Sequence, residues 1–397
     1  MFTNFKRASV FLLMMLMLVG CWDWNELNTL AIVIGAAVDK EKPGVLEVTV
    51  QTVKTGGKPS GEQAGQTTNF INTSGKGSTV FAAARNTSVD ISRRNYWPHA
   101  QVVVMGDKYA REGIISAVDF FNRDPQRRTT VYFILAEGPG KKLLSSKAKT
   151  EDLTAMELKE YIKQTERTGY GVTDTLREFN QQSESISGVS LLNKFRLKKE
   201  APDEASQGAS ASTGQQPKEE AVLDGTGVFY NYKLAGYLTT LETRAVNWLR
   251  DKIKSTIISI DINKDGQDDL TLEVNKSKTN LKPIIKGGKY IMSAKVEIDG
   301  DIVEYSGKQE LTELFLPKIN KQIADKVAKE INNVFRVAKE ELGLDIFGYA
   351  DKYANQYPFL LDLNNSDWHK IFKDQVELEL TVDVKVRFTG KSYKKSD

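Results

Sequence analysis

Apolar residues recur along this chain at two spacings, and each spacing marks a kind of element. The clearest stretch is 376–388, VELELTVDVKVRF. Val376, Leu378, Leu380, Val382, Val384, Val386 and Phe388 alternate with Glu377, Glu379, Thr381, Asp383, Lys385 and Arg387 without a break. Successive strand side chains point to opposite faces, so this segment predicts a strand of an antiparallel sheet covered on one face. The natural cover is a helix over 317–342. There Ile319, Ile323, Val327, Ile331, Val334 and Ala338 form one stripe among Lys, Asp, Glu and Asn. Pro317 suits its first turn and Gly343 its stop.

The other elements follow from the same patterns. LAIVIGAAV and VLEVTVQTV, within 30–53, predict a hairpin turning at Pro43-Gly44. Residues 54–77 are rich in Gly, Thr and Ser and predict a long exposed loop, followed by a helix near 78–94. HAQVVVMG (99–106) and RTTVYFILAEG (128–138) predict buried strands. Between them Asp107 is placed to N-cap a helix whose apolar face is Ala110, Ile114, Val118 and Phe121. Residues 151–184 predict two charged amphipathic helices broken at Gly169-Tyr170-Gly171. GTGVFYNYKLAGYL (225–238) is a hairpin pattern, as is STIISIDI with LTLEV around Asn263-Lys264-Asp265-Gly266. KYIMSAKVEI follows as a strand. Residues 198–220 contain no large apolar side chain beyond the flanks and predict disorder, as a linker or as a loop between strands. The expected fold class is α+β and multidomain: mixed sheets with helices packed on one face, and a long C-terminal helix against an antiparallel sheet.

The first residues change the picture. Lys6 and Arg7 precede an apolar run over 8–19, too short for a membrane span of about 20 residues. The run ends Leu18-Val19-Gly20-Cys21, a lipobox, and Cys21 is the single cysteine of 397 residues. Lipidation needs a thiol to accept the diacylglycerol and a small residue before it for the peptidase. Cys21 is thus the expected S-diacylglycerol and N-palmitoyl site, with 1–20 as signal peptide. No later apolar run approaches 18 residues, so lipid alone is expected to hold the body at a membrane. The domain plan is 1–20 signal peptide, 21–197 an N-terminal α+β module itself open to division, 198–220 linker or loop, and 221–393 a C-terminal α+β module.

Composition narrows the function classes. Hydrophobic content of 40% and charged content of 27% describe an ordinary globular body. The formal charge of +3 falls to +1 once Lys6 and Arg7 leave, which gives no electrostatic case for nucleic acid. With Cys21 lipidated, no thiol remains for disulfides, zinc–thiolate sites or redox chemistry. His99 and His369 are the only histidines, and each reads as structural. Lys54-Thr55-Gly56 and Ser146-Lys147-Ala148-Lys149 resemble penicillin-binding-protein motifs in reversed order, without the Ser-Asp-Asn element. GKGST (75–79) lacks phosphate-loop spacing. Asp261, Asn263, Asp265, Gly266 and Asp269 match five calcium-loop positions, but Asp268 and Leu272 break the pattern, and an Asp-Gly hairpin explains the same residues. No catalytic, cofactor or metal residue is assigned. The aromatics of 345–372 read as core or interdomain packing.

Several blocks in order resemble the spore germinant receptor C subunits, the Ger(x)C lipoproteins. Trp22, Asp23, Glu26 and Leu27 match the signature after the lipid cysteine, although Trp24-Asn25 stands where a basic pair is common. LAIVIGAAVD, HAQVVVMGDKYAREGIISAVDFFNRDPQRR, GVFYNYKLAGYL with ETRAVNWL, DIFGYADKY and the terminal RFTG continue the resemblance. It implies a non-enzymatic, lipid-anchored subunit needed for spore germination. It also implies membrane A and B subunits as partners, three mixed α+β domains, and a place on the outer leaflet of the spore inner membrane. Whether such a subunit binds the nutrient itself is left open. The rival readings are a lipid-anchored solute-binding protein of a transporter, which needs two βα-alternating lobes, and an exported hydrolase, which needs a convergent acid–base pair or nucleophile.

Overall fold

The β-branched runs gather into two sheets in the computed structural model, which describes residues 29–53, 70–89, 91–124, 127–199, 219–307, 309, 311–359 and 367–388. The first sheet holds β1 (Leu30–Lys42), β2 (Val45–Val53), β3 (Phe70–Gly77), β4 (Arg94–Tyr96), β5 (Val102–Gly106), β6 (Tyr132–Ala136), β7 (Val189–Lys199), β8 (Glu219–Tyr230) and β9 (Lys233–Leu238). Its order is β3-β2-β1-β5-β6-β7-β8-β9, with β4 also on β1. Pairing is antiparallel through β3-β2-β1, parallel through β1-β5-β6-β7, and antiparallel again through β7-β8-β9.

Helices cover both faces of this sheet. One core takes α1 (Val80–Asn86), α2 (Asp107–Glu112), α3 (Ile115–Arg123) and α6 (Leu176–Ser183); the opposite core takes α4 (Gly140–Leu144) and α5 (Thr154–Thr168). Being buried on both faces explains why VVVMG is apolar throughout.

The second sheet has the order β10-β11-β12-β13: β10 (Thr256–Ile260), β11 (Leu270–Lys286), β12 (Lys289–Tyr305) and β13 (Val376–Phe388). Gly287 and Gly288, at φ 59° and 80°, make the two-residue turn between the long strands β11 and β12. Across one face lies α8 (Leu316–Arg336), burying Ile319, Ile323, Val327, Ile331 and Val334 as its stripe required. The helix continues through a wider π turn, Val337–Leu342, and stops at Gly343 with φ 63°. Then α9 (Tyr349–Gln356) and α10 (Trp368–Gln375) lead into β13. The sheet–helix layering expected from the sequence is present.

Several local expectations are corrected. Residues 70–77 form β3, not loop. Gly75 and Gly77 looked like loop residues, but they are glycine because the α1 backbone lies on them: a Cβ at Gly77 would stand 2.5 Å from the Ala83 nitrogen. The expected helix over 78–94 is only α1, capped by Thr79, and then gives way to β4. Asp107 does not cap its helix. Gly106 occupies the cap position, and Asp107 is the first helical residue. The Ala110–Phe121 stripe is buried as expected but spans two helices, broken at Gly113 with φ 127°. β13 pairs parallel with β12, not antiparallel. After β12, α8 carries the chain back along the sheet for about 32 Å, so β13 must start beside the start of β12.

The stretch 198–220 is also shorter than expected. Lys198 and Lys199 belong to β7 and pair with Glu220 and Glu219 of β8, placing opposite charges across the ladder. Residues 200–218 lie outside the described residues and join two neighbouring antiparallel strands of one sheet. Strands β8 and β9 therefore follow this stretch in sequence yet complete the first sheet.

Candidate functional site: the joint between the two sheets

Where the chain passes from β9 to the second sheet it forms α7 (Thr240–Leu249). Thr239 and Glu242 make a reciprocal capping box that starts the helix. Every residue from Thr243 to Leu249 is buried, because α7 has the first sheet on one side and α8 with β11 on the other. Trp248 fills the large core of the second half. Arg244 Nη2 donates to Glu330 Oε1 of α8 at 2.6 Å, and Nη1 donates to the Ile257 carbonyl at 3.0 Å and the Tyr170 hydroxyl at 3.2 Å. Asn247 Nδ2 donates to the carbonyls of Gly169 and Gly171 at 2.9 and 2.8 Å. The Gly-Tyr-Gly break between α5 and α6 is thus the surface on which α7 docks.

A second fastening lies beside it. Asp345 is fully buried and accepts from the backbone of Phe347 and Ala350 and from Trp368 Nε1, at 3.1, 2.8 and 2.8 Å. Its own N–H reaches His369 Nδ1 at 3.3 Å, so the imidazole proton sits on Nε2 and is donated to the Ser187 carbonyl at 2.9 Å. The ring packs edge-on against Tyr230 at 4.7 Å. Arg250 reaches from the end of α7 to the Ile346 carbonyl at 3.0 Å and Gln182 of α6 at 3.1 Å. Burial pulls this guanidinium below its usual range against the charges of Asp174 and Asp345. Burial, then the Asp345 and Tyr353 charges, push the Tyr349 hydroxyl well above 10. Most of these groups bond to the fold, although Arg244 Nε, Glu330 Oε2 and the Tyr349 hydroxyl are buried without a partner, and the arrangement is that of a fastening between the two halves.

The sequence-predicted candidates are scattered. His369 is a strut in the joint, as above, while His99 is exposed beside Tyr96 at 5.8 Å. Asp269 accepts from the Ile262 backbone at 2.7 Å, Asp261 accepts from Gly266 N–H at 2.7 Å, and Asp265 accepts from Gln267 N–H at 3.2 Å; these are contacts of the loop with itself. Among the described residues no three His, Cys, Asp or Glu side chains converge as a metal site. Ser146 donates to the Leu143 carbonyl, and Lys149 pairs with Glu220. Cys21, the Trp22–Leu27 signature and Lys54-Thr55-Gly56 lie outside the described residues.

Comparison with known proteins accounts for nearly the whole chain. Residues 23–197 match the family described as "Spore germination protein N-terminal domain", and residues 224–390 match "Spore germination B3/ GerAC like, C-terminal". The chain belongs to the spore germination GerAC/B3 family. These are germinant receptor C subunits. "Spore germination protein KC" of Bacillus subtilis (strain 168) is 27% identical over 96% of this chain and 95% of its own length. "Spore germination protein B3" of the same organism is 24% identical over 93% and 94%. The solved structure "Crystal Structure of the GerBC protein" shares the fold, with a TM-score of 0.56 at 18% identity over 92% of this chain and 99% of that one.

The blocks that carry the GerAC/B3 resemblance fall at fastenings. LAIVIGAAVD is the central strand β1. Its Asp39 accepts from Gly140 and Lys141 N–H at 2.7 and 2.8 Å and so holds the start of α4. Gly106 must lack a Cβ because Asp39 Oδ1 occupies that place. Asp107 pairs with Arg111 at 2.9 Å and accepts from the Tyr237 hydroxyl, tying α2 to β9. Burial pushes the Asp107 carboxyl up, but Tyr237 and Arg111 outweigh it and hold it below the usual range. Burial and the Asp107 bond push Tyr237 up to about 12. ETRAVNWL is α7 itself. Sequence reasoning missed the partners of Arg244, Asn247, Arg250 and Asp345, because the side-chain partners of the two arginines lie 68 or more residues away and the others are backbone groups or a buried indole that carry no mark in the sequence. A signal that could have pointed there is the run Arg244-Ala245-Val246-Asn247-Trp248-Leu249, apolar but for one Arg and one Asn.

Proposed function

We propose that this chain is the lipid-anchored, non-catalytic C subunit of a nutrient germinant receptor, docking against membrane A and B subunits. Processing removes 1–20, and diacylglycerol on Cys21 with an N-palmitoyl chain tethers the body to the outer leaflet of the spore inner membrane. The modules at 21–197 and 221–393 then act as one body, because β8 completes the first sheet and α7 locks into the second. The observation that carries the reading is the lipobox Leu18–Cys21 directly ahead of the family's two halves. No described helix is long and apolar enough to cross a membrane, which leaves the described body without a helical span of its own. Two acyl chains anchor stably where one does so marginally. Confinement to a surface raises effective concentration, so contacts with partners can be individually weak. The wide mixed sheet beside a smaller sheet favours this reading over a two-lobed solute-binding protein.

The test uses spores carrying Cys21→Ala. Labelled palmitate should be absent from the variant, and co-purification with A and B subunits from spore membranes should be lost. Nutrient-triggered germination should fall while non-nutrient germination persists. Equal label in both proteins, or normal nutrient germination by spores with no detectable chain, overturns the proposal.

A further inference from the structure

Strands β1 and β4 begin at one end of the first sheet: they run parallel, with Leu30 opposite Arg94. Cys21 stands nine residues before Leu30. A chain of that length spans at most about 32 Å when fully extended. A lipid on Cys21 therefore holds this end of the body close to the membrane.

The surface at that end has its own chemistry. A cleft of about 340 Å³ gathers α1, β4 and the chain after α3 there. Asn95 of β4 donates from Nδ2 to the hydroxyls of Thr87 and Ser88 at 2.5 and 3.2 Å, which fixes the end of α1 beside β4. Phe81 and Arg85 lie one turn apart on α1, with the guanidinium 5.8 Å from the ring centre, and both are exposed. Phe81 is 58% exposed and Val89, just beyond α1, 78%. Arg94 is exposed on β4, and Arg93 is half-buried beside it. From 81 to 97 the sequence sets one carboxylate, Asp90, against these three arginines. Arg85, Arg93 and Arg94 form no ion pair among the described residues, whereas Arg127 is matched by Asp124 at 3.1 Å. Uncommitted guanidinium groups beside exposed apolar side chains suit a membrane interface: the cations meet headgroup phosphates while the apolar groups enter the acyl boundary. Trp97 lines the same cleft, half-buried against Phe120 at 5.4 Å, and indoles favour headgroup level.

We propose that this face, Phe81 to Val89 with Arg93 and Arg94, docks on the anionic phospholipid headgroups of the membrane that carries the anchor. This occupant follows from where the tether ends, and so rests on the lipidation read at Cys21, together with the fit of free guanidinium groups to phosphate. The anchored body then has one orientation, with the starts of β1 and β4 toward the bilayer.

The test has two arms, and the first does without the tether. The full mature chain carrying Cys21→Ser is sedimented with vesicles of phosphatidylcholine alone or of an equal mixture with phosphatidylglycerol. It should bind the mixed vesicles and leave the others in solution. Arg85→Gln and Arg94→Gln, both at exposed positions, should each weaken binding about fivefold. Lys42→Gln should leave it unchanged, because exposed Lys42 ends β1, about 40 Å from Leu30. In the second arm the lipidated chain sits in mixed vesicles with a nitroxide on Val89→Cys or on Lys42→Cys. Once Cys21 is acylated, the new thiol is the single free one. The label at 89 should be shielded from a water-soluble nickel chelate and the label at 42 should not. Four results overturn the proposal: no binding to the mixed vesicles, equal binding to phosphatidylcholine, arginine losses no larger than that of Lys42→Gln, or equal shielding at the two labels. Shielding at 89 that requires A and B subunits in the vesicles overturns it too, and gives the face to a protein partner. Palmitate labelling of the wild type is read separately: its absence sinks the tether, which the lipid-free arm does not use.

Discussion

The Arg244–Glu330 pair ties α7 to α8, and removing its charges one at a time asks what holds the joint. The Arg244 side chain is 4% exposed and Glu330 15%, at 2.6 Å. Both charges have lost most of their water, so removing one strands the other, at about 3–5 kcal/mol. Glu330→Leu should therefore cost about 3–4 kcal/mol. Arg244→Met should cost about 1 kcal/mol more, because the Ile257 carbonyl also loses its donor at 3.0 Å. The double variant removes both charges and leaves only that carbonyl and the Tyr170 hydroxyl short of a donor, for a total of about 1–2 kcal/mol. The cycle should return a coupling above about 3 kcal/mol. Equilibrium urea denaturation followed by circular dichroism measures it. With an m value near 3 kcal/mol/M, each single variant shifts the midpoint by about 1 M. Additive losses, with a coupling below about 1 kcal/mol, would refute the reasoning and leave packing around Trp248 as the whole of the joint.

Gly77→Ala should destabilise the first half by about 1–3 kcal/mol, since its Cβ would stand 2.5 Å from the Ala83 nitrogen in α1; a thermal midpoint matching wild type would mean α1 does not rest on β3. Asp39 carries a raised pKa, chiefly through burial, with the Lys141 and Gly140 N–H groups pulling the other way. Its contribution to stability is then fully present below the unfolded value of about 3.9 and is lost as pH rises through the folded value. Urea stability of wild type relative to Asp39→Asn should accordingly decline from about pH 4 upward, and a rising difference would reverse the sign assigned to this carboxyl.

What one segment can state about itself was legible in the sequence. The stripe from Ile319 to Val334 needs only its own spacing to declare a helix with one buried face. The hairpins at Pro43-Gly44 and Asn231-Tyr232 carry their turn chemistry locally, the latter with φ of 49° and 64°. The family could also be read from ordered blocks, and the lipobox expected at Leu18–Cys21 is a reading that needs no fold. The joint was not legible: ETRAVNWL entered only as one block of the family resemblance, with no element assigned to it.

What the tertiary structure alone decided concerns relations between distant segments. Residues 70–77 look like loop because glycine and polar residues dominate them, yet they pair with β2, and a helix lies where side chains would otherwise stand. Alternation in β13 fixes which residues share a face, but it is silent on strand direction; the return path through α8 makes the pairing parallel. Asp107 looks like a cap until the Asp39 carboxylate claims the space above Gly106 and Tyr237 claims the Asp107 oxygen. Likewise the cleft of Arg85, Arg94 and Arg127 joins residues from α1, β4 and the chain after α3, which no periodicity links. Local spacing records how a segment meets water and core; it cannot record which other segment supplies the core, the partner charge or the missing hydrogen bond.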